Sequence, residues 1–329
     1  MANIQEVAKR AGVSVATVSR VLNNHSSVTI KTRLKVENAI KELNYEPSML
    51  GRNLRNSESR LLLVLLPSIS NPFYTDIING IQTTAIANKY NILLCETDSN
   101  PDRENIYFNM VKNKLADGVI SMDPTVNKQK LIELAENHSI ILCSEYDEEG
   151  SIPYVTIDNE LAAYHAVKHL LKLGNKRVAL INSDEKFLYA RQRRNGYERA
   201  LKEFHLPILE ELIYHTTQLD FQDGIQAMRM LLQLEEKPTA VFAVSDTLAI
   251  GALKEIKASG LTIPEEIAVV GFDNISFSNM TNPTLTTIAQ PMYKMGCTAA
   301  TMLLKSIQNQ KCDSMILEHE LIIRDSTMG

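Results

Sequence analysis

The sequence predicts an α/β protein with a small helical head and a larger body of two doubly wound parallel-sheet lobes. The chain has 329 residues, which is too long for one small core. The first 60 residues show helical periodicity, whereas short apolar runs alternate with amphipathic segments after them. These runs form two successive sets, and near-continuous apolar strands separated by helices indicate parallel sheets covered on both faces.

The first element is a helix, a tight turn and a second helix, read from IQEVAKRAGVSVATVSRVLN. Asn3 is placed to cap the first helix, with Glu6 in the capping-box position, and Gly12 is a C-terminal stop. Ser14 then caps the second helix. A helix-turn-helix, which puts the start of its second helix in the DNA major groove, needs this arrangement, and a pair of ordinary surface helices is the alternative. The outer face of the second helix holds Val15, Ala16, Thr17, Ser19 and Arg20.

Charge separates the head from the body. The formal net charge is −5, but residues 1–60 carry ten Lys and Arg against five Asp and Glu. The head is therefore +5 and the remainder −10. Local charge is what meets phosphates, so a basic head on an acidic body favours DNA binding by the head alone.

A third helix and a hinge complete the N-terminal part. The third helix is predicted over Lys31 to Leu43, with Val36 and Ala39 among the residues that close a three-helix core. Pro47 can start a further short helix that carries Leu50 and Leu54. Such a segment is too short to be stable alone, so we expect a hinge that folds against DNA and its symmetry mate, with a plain linker as the alternative.

The body supplies the strands of both lobes. The apolar runs are LLLVLL at Leu61, NILLC at Asn91, GVISM at Gly118, SIILC at Ser139, RVALI at Arg177, AVFAV at Ala240 and AVVGF at Ala268. A tail follows with TTIAQP, a helix near Met295 to Ile307 and a last strand at Leu321, and we expect it to complete both sheets. The predicted domains are 1–46 (helix-turn-helix), 47–59 (hinge and linker) and 60–329 (body), with lobe 1 about 60–158 and 291–319 and lobe 2 about 159–290 and 320–329.

Polar residues follow many of these strands, where ligands bind in open parallel sheets. Aromatic faces together with carboxylates and amides suit a small polyhydroxylated ligand. The candidates are Asn71, Phe73, Tyr74, Asp98, Asp123, Asp158, Arg193, Asp246, Asp273 and Gln290. For Asp158 and Asp246 the alternative is helix capping, Phe73 could be core, and of Arg191, Arg193 and Arg194 at most one is expected to point inward.

Motifs of other classes are missing. No two glycines are closer than nine residues, which excludes GxGxxG and the P-loop, and neither GxSxG nor HExxH occurs. His165 and His169 have i,i+4 spacing but no evident third ligand, so no metal and no cofactor are expected. Cys95 and Cys143 are expected to be buried thiols in a reducing cytoplasm. No signal-peptide core or membrane span is seen at the N-terminus.

These residues resemble the lactose-repressor/galactose-repressor (LacI/GalR) family along essentially the whole chain, and within it most resemble the cytidine-repressor branch. The matching words are IQEVAKRAGVSVATVSRVLN, KTRLKVENAIKELNYEPS, NPFY, DGVI, KRVALI, PTAVFAVSDTLAIGAL, IPEEIAVVGFDN, PTLTTIAQP and LIIRDST. GRNLRNSESR, GFDN and ELIIRDST carry the branch resemblance.

The resemblance implies a periplasmic-binding-protein-like body that dimerises, and it assigns roles to matching positions. Val15, Ala16 and Arg20 fall on major-groove readers, and Leu54 on a leucine that wedges into the minor groove. Phe73, Tyr74, Arg193, Asp246 and Asp273 fall on effector-contact positions. Leu219 replaces the stacking aromatic of the purine-binding branch, which disfavours purine recognition. The chain stops soon after Arg324 without a leucine-heptad tail, so a dimer is expected rather than a tetramer.

We therefore expect a cytoplasmic, non-enzymatic transcription regulator, a repressor, that binds a palindromic operator as a homodimer. A pentose or hexose or a nucleoside would be its effector, acting as inducer or corepressor. The residues expected to contact DNA are Asn3, Ser14, Val15, Ala16, Thr17, Arg20, Asn23 and Leu54. The rivals are a transport-type sugar- or nucleoside-binding protein without DNA function, and an α/β enzyme acting on such a ligand.

Overall fold

The computed structural model describes residues 2–22, 25–45, 58–123 and 127–328. The chain divides into two compact units, 1–59 and 60–329. The predicted hinge around Pro47 and Leu54 lies outside the described residues, as does Asn23.

The head consists of α1 (Ile4–Ala11), α2 (Val15–Leu22) and α3 (Ile30–Glu42). The predicted capping box is confirmed: the Asn3 side chain accepts from the Glu6 amide at 3.0 Å, and the Glu6 carboxylate accepts from the Asn3 amide at 3.2 Å. Gly12 ends α1 with a φ of 65°, a conformation that glycine adopts without a steric penalty. This stop lets the chain turn sharply into α2.

A small apolar core holds the three helices together. Val7, Val18 and Val36, one from each helix, are fully buried, and Ala39 also belongs to this cluster. The third helix begins one residue earlier than predicted because the Thr29 hydroxyl accepts from the Thr32 amide and caps it.

Lobe 1 is a six-stranded sheet in the order β11-β5-β4-β3-β1-β2, with all pairs parallel. Its register pairs Leu63 with Leu93 on one side and with Val119 on the other. The strands are β1 (Leu61–Leu66), β2 (Asn91–Glu96), β3 (Gly118–Ser121), β4 (Ser139–Cys143), β5 (Tyr154–Ile157) and β11 (Met315–Leu317).

Lobe 2 repeats this order as β12-β10-β9-β8-β6-β7, with only β12 antiparallel to its neighbour β10. Its strands are β6 (Val178–Asn182), β7 (Ile213–His215), β8 (Ala240–Ala243), β9 (Ala268–Asp273), β10 (Thr286–Ala289) and β12 (Glu320–Ile322). The tail therefore contributes β11 to lobe 1 and β10 and β12 to lobe 2, and so completes both sheets as predicted. The short edge strand β7 was not predicted, because three residues are too few to show an apolar run.

Helices cover both sheets. They are α4 (Phe73–Ala87), α5 (Pro101–Lys112), α6 (Lys128–Ala135), α7 (Asn159–Lys172), α8 (Leu188–Glu203), α9 (Phe221–Leu231), α10 (Asp246–Ala258) and α11 (Met292–Ile307). Two 3₁₀ turns occupy Glu210–Leu212 and Ser276–Asn279. Cys95 and Cys143 are buried as free thiols, as expected. Among the described helices, none is long and apolar enough to span a bilayer.

Helix α11 of the tail packs on α4 at backbone contact. A Cβ on Gly80 would lie 2.2 Å from the Tyr293 carbonyl oxygen, and one on Gly296 would lie 2.0 Å from that of Ile77. Only glycine permits this approach, which fixes the tail helix on lobe 1 before the chain returns to lobe 2.

Candidate functional site

The outer face of α2 is the candidate DNA-reading surface. Val15, Ala16 and Arg20 are exposed, whereas Val18 and Val21 on the opposite face are buried. Ser14 is exposed at the start of α2, where its hydroxyl accepts from the Thr17 amide at 3.2 Å. The surface thus offers one guanidinium and two small apolar side chains, which suit guanine edges and thymine methyl groups.

The candidate effector site lies between the lobes, at the carboxyl ends of the parallel strands. In both sheets the first strand lies between the second and the third, and this switch point opens a crevice for ligands. Lobe 1 brings Phe73 and Tyr74 there at the start of α4, with ring centroids 5.1 Å apart in an edge-to-face pair. The Asn71 side chain accepts from the Phe73 amide at 3.0 Å and orients that turn.

Arg193 is the buried cation of the site, at 5% exposure. Its Nε and Nη2 atoms donate to Asn159 Oδ1 at 3.0 and 2.9 Å, and Nη1 donates to the Val244 carbonyl. The guanidinium carbon lies 3.6 Å from the ring centroid of Phe272, at cation–π distance. Burial lowers the pKa of Arg193, and the charge of Asp273 opposes that shift. The guanidinium is thus held in one orientation on an aromatic face.

Asp273 faces Arg193 at 3.9 Å and accepts from Gln290 Nε2 at 2.8 Å. Its φ is 115°, a backbone conformation that L-residues rarely adopt, and such strain concentrates at functional sites. Burial raises the pKa of Asp273 to about 7, while Arg193 and Gln290 lower it in part. A carboxyl, an amide and a guanidinium therefore converge at the end of β9.

Asp246 supports this group from behind. Its two oxygens accept from the Thr287 hydroxyl at 2.6 Å and from the Ile275 amide at 2.9 Å. The side chain is fully buried, and Ser245 rather than Asp246 caps α10 through the Leu248 amide. Burial, and secondarily Asp273, raise the pKa of Asp246 well above its usual range. Asp246 thus fixes the segment that follows Asp273.

Tyr74 reports which residues meet across the crevice. Burial is the main cause that raises the pKa of its hydroxyl well above the usual value. Smaller contributions in the same direction come from the charges of Asp123, Tyr189, Glu145 and Asp273. Two of these residues belong to lobe 1 and two to lobe 2. Tyr74 therefore lies between the lobes, within electrostatic range of both halves of the site.

The other lobe 1 candidates separate into two environments. Asp123 is 1% exposed and accepts from the Ser99 hydroxyl at 2.6 Å. Asp98 is exposed and pairs with Arg103 at 3.4 Å. Asp158 accepts a hydrogen bond from the Leu161 amide at 2.9 Å and so caps α7, which was the alternative role predicted for it. The structure thus buries Asp123 just beyond the carboxyl end of β3 and engages Asp98 and Asp158 in local contacts.

Of the three neighbouring arginines only Arg193 points inward, as predicted. Arg191 pairs with Glu148 at 2.7 Å, and Arg194 with Glu185 at 2.9 Å. His165 is exposed and His169 half-buried, and no group of three or more His, Cys, Asp or Glu that could hold a metal exists among the described residues.

Two residues of the site were missed by sequence reasoning. Glu145 is 6% exposed beyond β4, and Tyr189 lies in the first turn of α8, 5.0 Å from the Arg193 guanidinium. Inspection of the residues after SIILC would have found Glu145, because this run is a strand like the others. Tyr189 follows its strand by a longer loop, so strand-end position alone does not mark it.

A helix-turn-helix head joined to a two-lobed body with a polar crevice defines a ligand-responsive DNA-binding transcription regulator. Residues 3–48 match the model of bacterial regulatory proteins of the lacI family. Residues 59–325 match the periplasmic binding proteins and sugar binding domain of the LacI family. The chain belongs to the LacI family.

Two curated relatives are similar to this chain in sequence along nearly its full length. The HTH-type transcriptional repressor CytR of Escherichia coli K12 is 37% identical, with 99% of this chain and 96% of that protein covered. Catabolite control protein A of Priestia megaterium is 36% identical, with 98% of each covered. The Lac repressor dimer bound to operator and an anti-inducer superposes with a TM-score of 0.89 at 27% identity, covering 100% of this chain and 99% of that one. These relatives are regulators, not enzymes.

Proposed function

We propose that the protein is a cytoplasmic, homodimeric repressor whose affinity for a pseudo-palindromic operator changes when a small sugar or nucleoside binds between the lobes. Residues 1–46 would read the half-site, 47–59 form the hinge and 60–329 bind the effector and the second subunit. The similar Lac repressor structure is a dimer on operator DNA, and similar regulators were solved with cellobiose and with ribose, which supports this assignment.

The observation that carries the proposal is the buried polar group between the lobes. Arg193 lies 3.9 Å from Asp273, and Gln290 donates a hydrogen bond to the same carboxyl, so donors and an acceptor stand side by side. Tyr74 adds an aromatic face from the opposite lobe. A ligand with several hydroxyls can exchange hydrogen bonds with all of them while its ring packs on the aromatic. Asn71, Asp123 and Asp246 shape the site, and we retain Asp98 and Asp158 as contacts that a bound ligand would have to recruit.

The proposed dimer uses the free edge of lobe 1. Edge strand β2 exposes Leu93 by 39% and Leu94 by 37%, and Ile86 at the end of α4 is 60% exposed. An apolar edge strand is a pairing hazard that a second subunit removes by covering it.

A ligand screen with matched variants tests the proposal. Thermal shift of the full-length protein with D-ribose, D-glucose and cytidine is expected to identify a stabilising compound, because ligands that bind only the folded state raise the Tm. Arg193→Ala is expected to abolish that shift and the ligand's effect on DNA binding, but to retain DNA binding itself. Arg199→Ala, a 53% exposed arginine on the same helix, is the control and is expected to behave as wild type.

Other outcomes select the rivals. Failure to bind any fragment of genomic DNA at low salt, together with tight ligand binding, would favour a transport-type binding protein. Chemical conversion of a bound compound would favour an enzyme. Undiminished ligand affinity in Arg193→Ala would show that the effector binds elsewhere.

A further inference from the structure

The loop that follows β4 in lobe 1 is bonded to the start of α8 in lobe 2. Glu145 Oε2 accepts from the Leu188 amide and Glu145 Oε1 accepts from the Tyr189 amide, both at 3.0 Å. Gln192 Nε2 lies 2.7 Å from the Tyr146 hydroxyl and donates to it. With the Glu148–Arg191 ion pair, four polar contacts therefore join this loop to the first turns of α8.

The sequence around α8 shows why this partner is needed. The N-cap residue is Phe187, which has no side-chain acceptor, and no side chain of its own segment caps the helix. The first amides of a helix have no partner within it and require an acceptor from elsewhere. Glu145 supplies one oxygen to each of two such amides. When the carboxyl is ionised, its negative charge also suits the helix N-terminus. The cap of α8 thus comes from the other lobe.

The capped turn belongs to the proposed effector site. Tyr189 and Arg193 are one helical turn apart on α8, with the guanidinium 5.0 Å from the tyrosine ring. A shift of the α8 N-terminus therefore moves the residue that faces Asp273. Separation of the lobes removes the acceptors of Leu188 and Tyr189 at the same time.

We propose that Glu145, Tyr146 and Glu148 form an interlobe clasp that caps α8, favours the arrangement in which the two lobes touch (the closed arrangement) and positions Arg193. Glu145 is its principal member because it is buried, whereas Glu148 is 61% and Arg191 39% exposed in their ion pair. Water weakens an exposed ion pair, so the outer contact adds little. The cap and the contact between the lobes are inferred from protein contacts alone. Only the consequence for effector binding, through the position of Arg193, rests on the proposed function.

Amide hydrogen exchange on the full-length protein tests the clasp without any effector. Glu145→Gln keeps the side-chain shape but offers one carbonyl oxygen to two amides and turns a donor toward the second. At pH 8, above the pKa of Glu145, the carboxylate is ionised. Loss of a hydrogen bond to it is then expected to speed exchange in peptides covering 186–193 by about 10-fold to 100-fold. Peptides covering 144–149 are expected to lose protection in parallel, because both sides of the clasp open together.

Two variants and one internal reference separate the clasp from general destabilisation. Glu148→Gln makes the same chemical change at the exposed contact and is expected to stay within about 3-fold of wild type. Glu145→Asp retains a carboxylate and is expected to lie closer to wild type than Glu145→Gln does. Peptides from the last turn of α8, ending at Glu203, are expected to keep their protection in all three.

The clasp is refuted if exchange of 186–193 is unchanged in Glu145→Gln, or if Glu148→Gln has an equal effect. Loss of protection throughout α8 would equally overturn it, since the residue would then hold the domain rather than the lobe contact. These results do not depend on a ligand. A clasp that fails therefore leaves the effector proposal intact, and an effector screen that fails leaves the clasp intact.

Discussion

Two buried carboxyls of the crevice predict an unusual pH dependence of stability. Burial raises the pKa of Glu145 to about 7, although the amides of Tyr189 and Leu188 and the charge of Arg193 oppose the shift. Burial likewise raises that of Asp273 to about 7. In the unfolded chain both groups return to ordinary values near 4.5 and 3.8. The folded protein therefore holds protons that the unfolded chain has released.

The sign follows from this difference. A raised folded-state pKa contributes stability that is full below the unfolded value and is lost as the pH rises through the folded value, here from about 4.5 to about 7. For Glu145 the full shift corresponds to about 3 kcal/mol, an upper figure because water entry on local opening reduces it. Half-buried histidines with lowered pKa, such as His169 and His319, titrate in the opposite direction, so the wild-type curve alone does not isolate the acids.

Comparison with Glu145→Gln isolates the effect, because glutamine stays neutral at every pH. Urea unfolding followed by far-UV circular dichroism suits this chain, which has no tryptophan. Between pH 5 and pH 8 the glutamine variant is expected to gain about 1–3 kcal/mol relative to wild type. The exposed Glu148→Gln control is expected to show no such trend. A pH-independent difference, or one of opposite sign, would mean that the two amide donors outweigh burial at Glu145, and the reasoning would fail.

Two further predictions concern DNA binding and assembly. Arg20→Ala is expected to lose about 1–3 kcal/mol of preference for the selected operator over random DNA in competition titrations, because the guanidinium reads a base edge. The control is Lys35→Ala, at an exposed lysine of α3, which should weaken binding to operator and to random DNA equally if the lysine contacts phosphate. An equal loss of affinity for the two DNAs in Arg20→Ala would contradict the reading role. Leu94→Glu is expected to convert the proposed dimer to monomers in sedimentation experiments, because it places a charge on the apolar edge of β2. Leu115→Glu changes a 48% exposed leucine in a loop and should remain dimeric. A dimeric Leu94→Glu would place the interface elsewhere.

Much of the fold follows from local patterns, and the exceptions have physical reasons. Asn3, Gly12 and Ser14 specify the helix-turn-helix because capping depends on a few adjacent atoms. The apolar runs likewise indicate the strands, because an apolar run is a local feature of the sequence. Strand β7 escaped because it is a three-residue edge strand. Glu145 follows an apolar run and could have been found there, but its role as a cap depends on a helix 43 residues further along the chain.

The candidate site shows the same limit more sharply. Position at a strand end marks a residue as near the crevice, but cannot tell Asp273, which faces Arg193, from Asp246, whose oxygens are taken by Thr287 and Ile275. That distinction depends on hydrogen bonds from distant segments and on the strained φ of 115° at Asp273. Sequence therefore locates such a site but does not rank its members.

The clasp and the effector site share one helix, and this sets how strongly an effector can act. A ligand shifts a conformational equilibrium only by its differential affinity for the two arrangements. If Glu145 already favours closure, a ligand that also requires closure binds more tightly but changes the population less, since little open protein remains to be converted. Glu145→Gln weakens the clasp and is thus expected to lower the apparent ligand affinity while it enlarges the conformational response to the ligand. A change at Arg193 would instead reduce both quantities together.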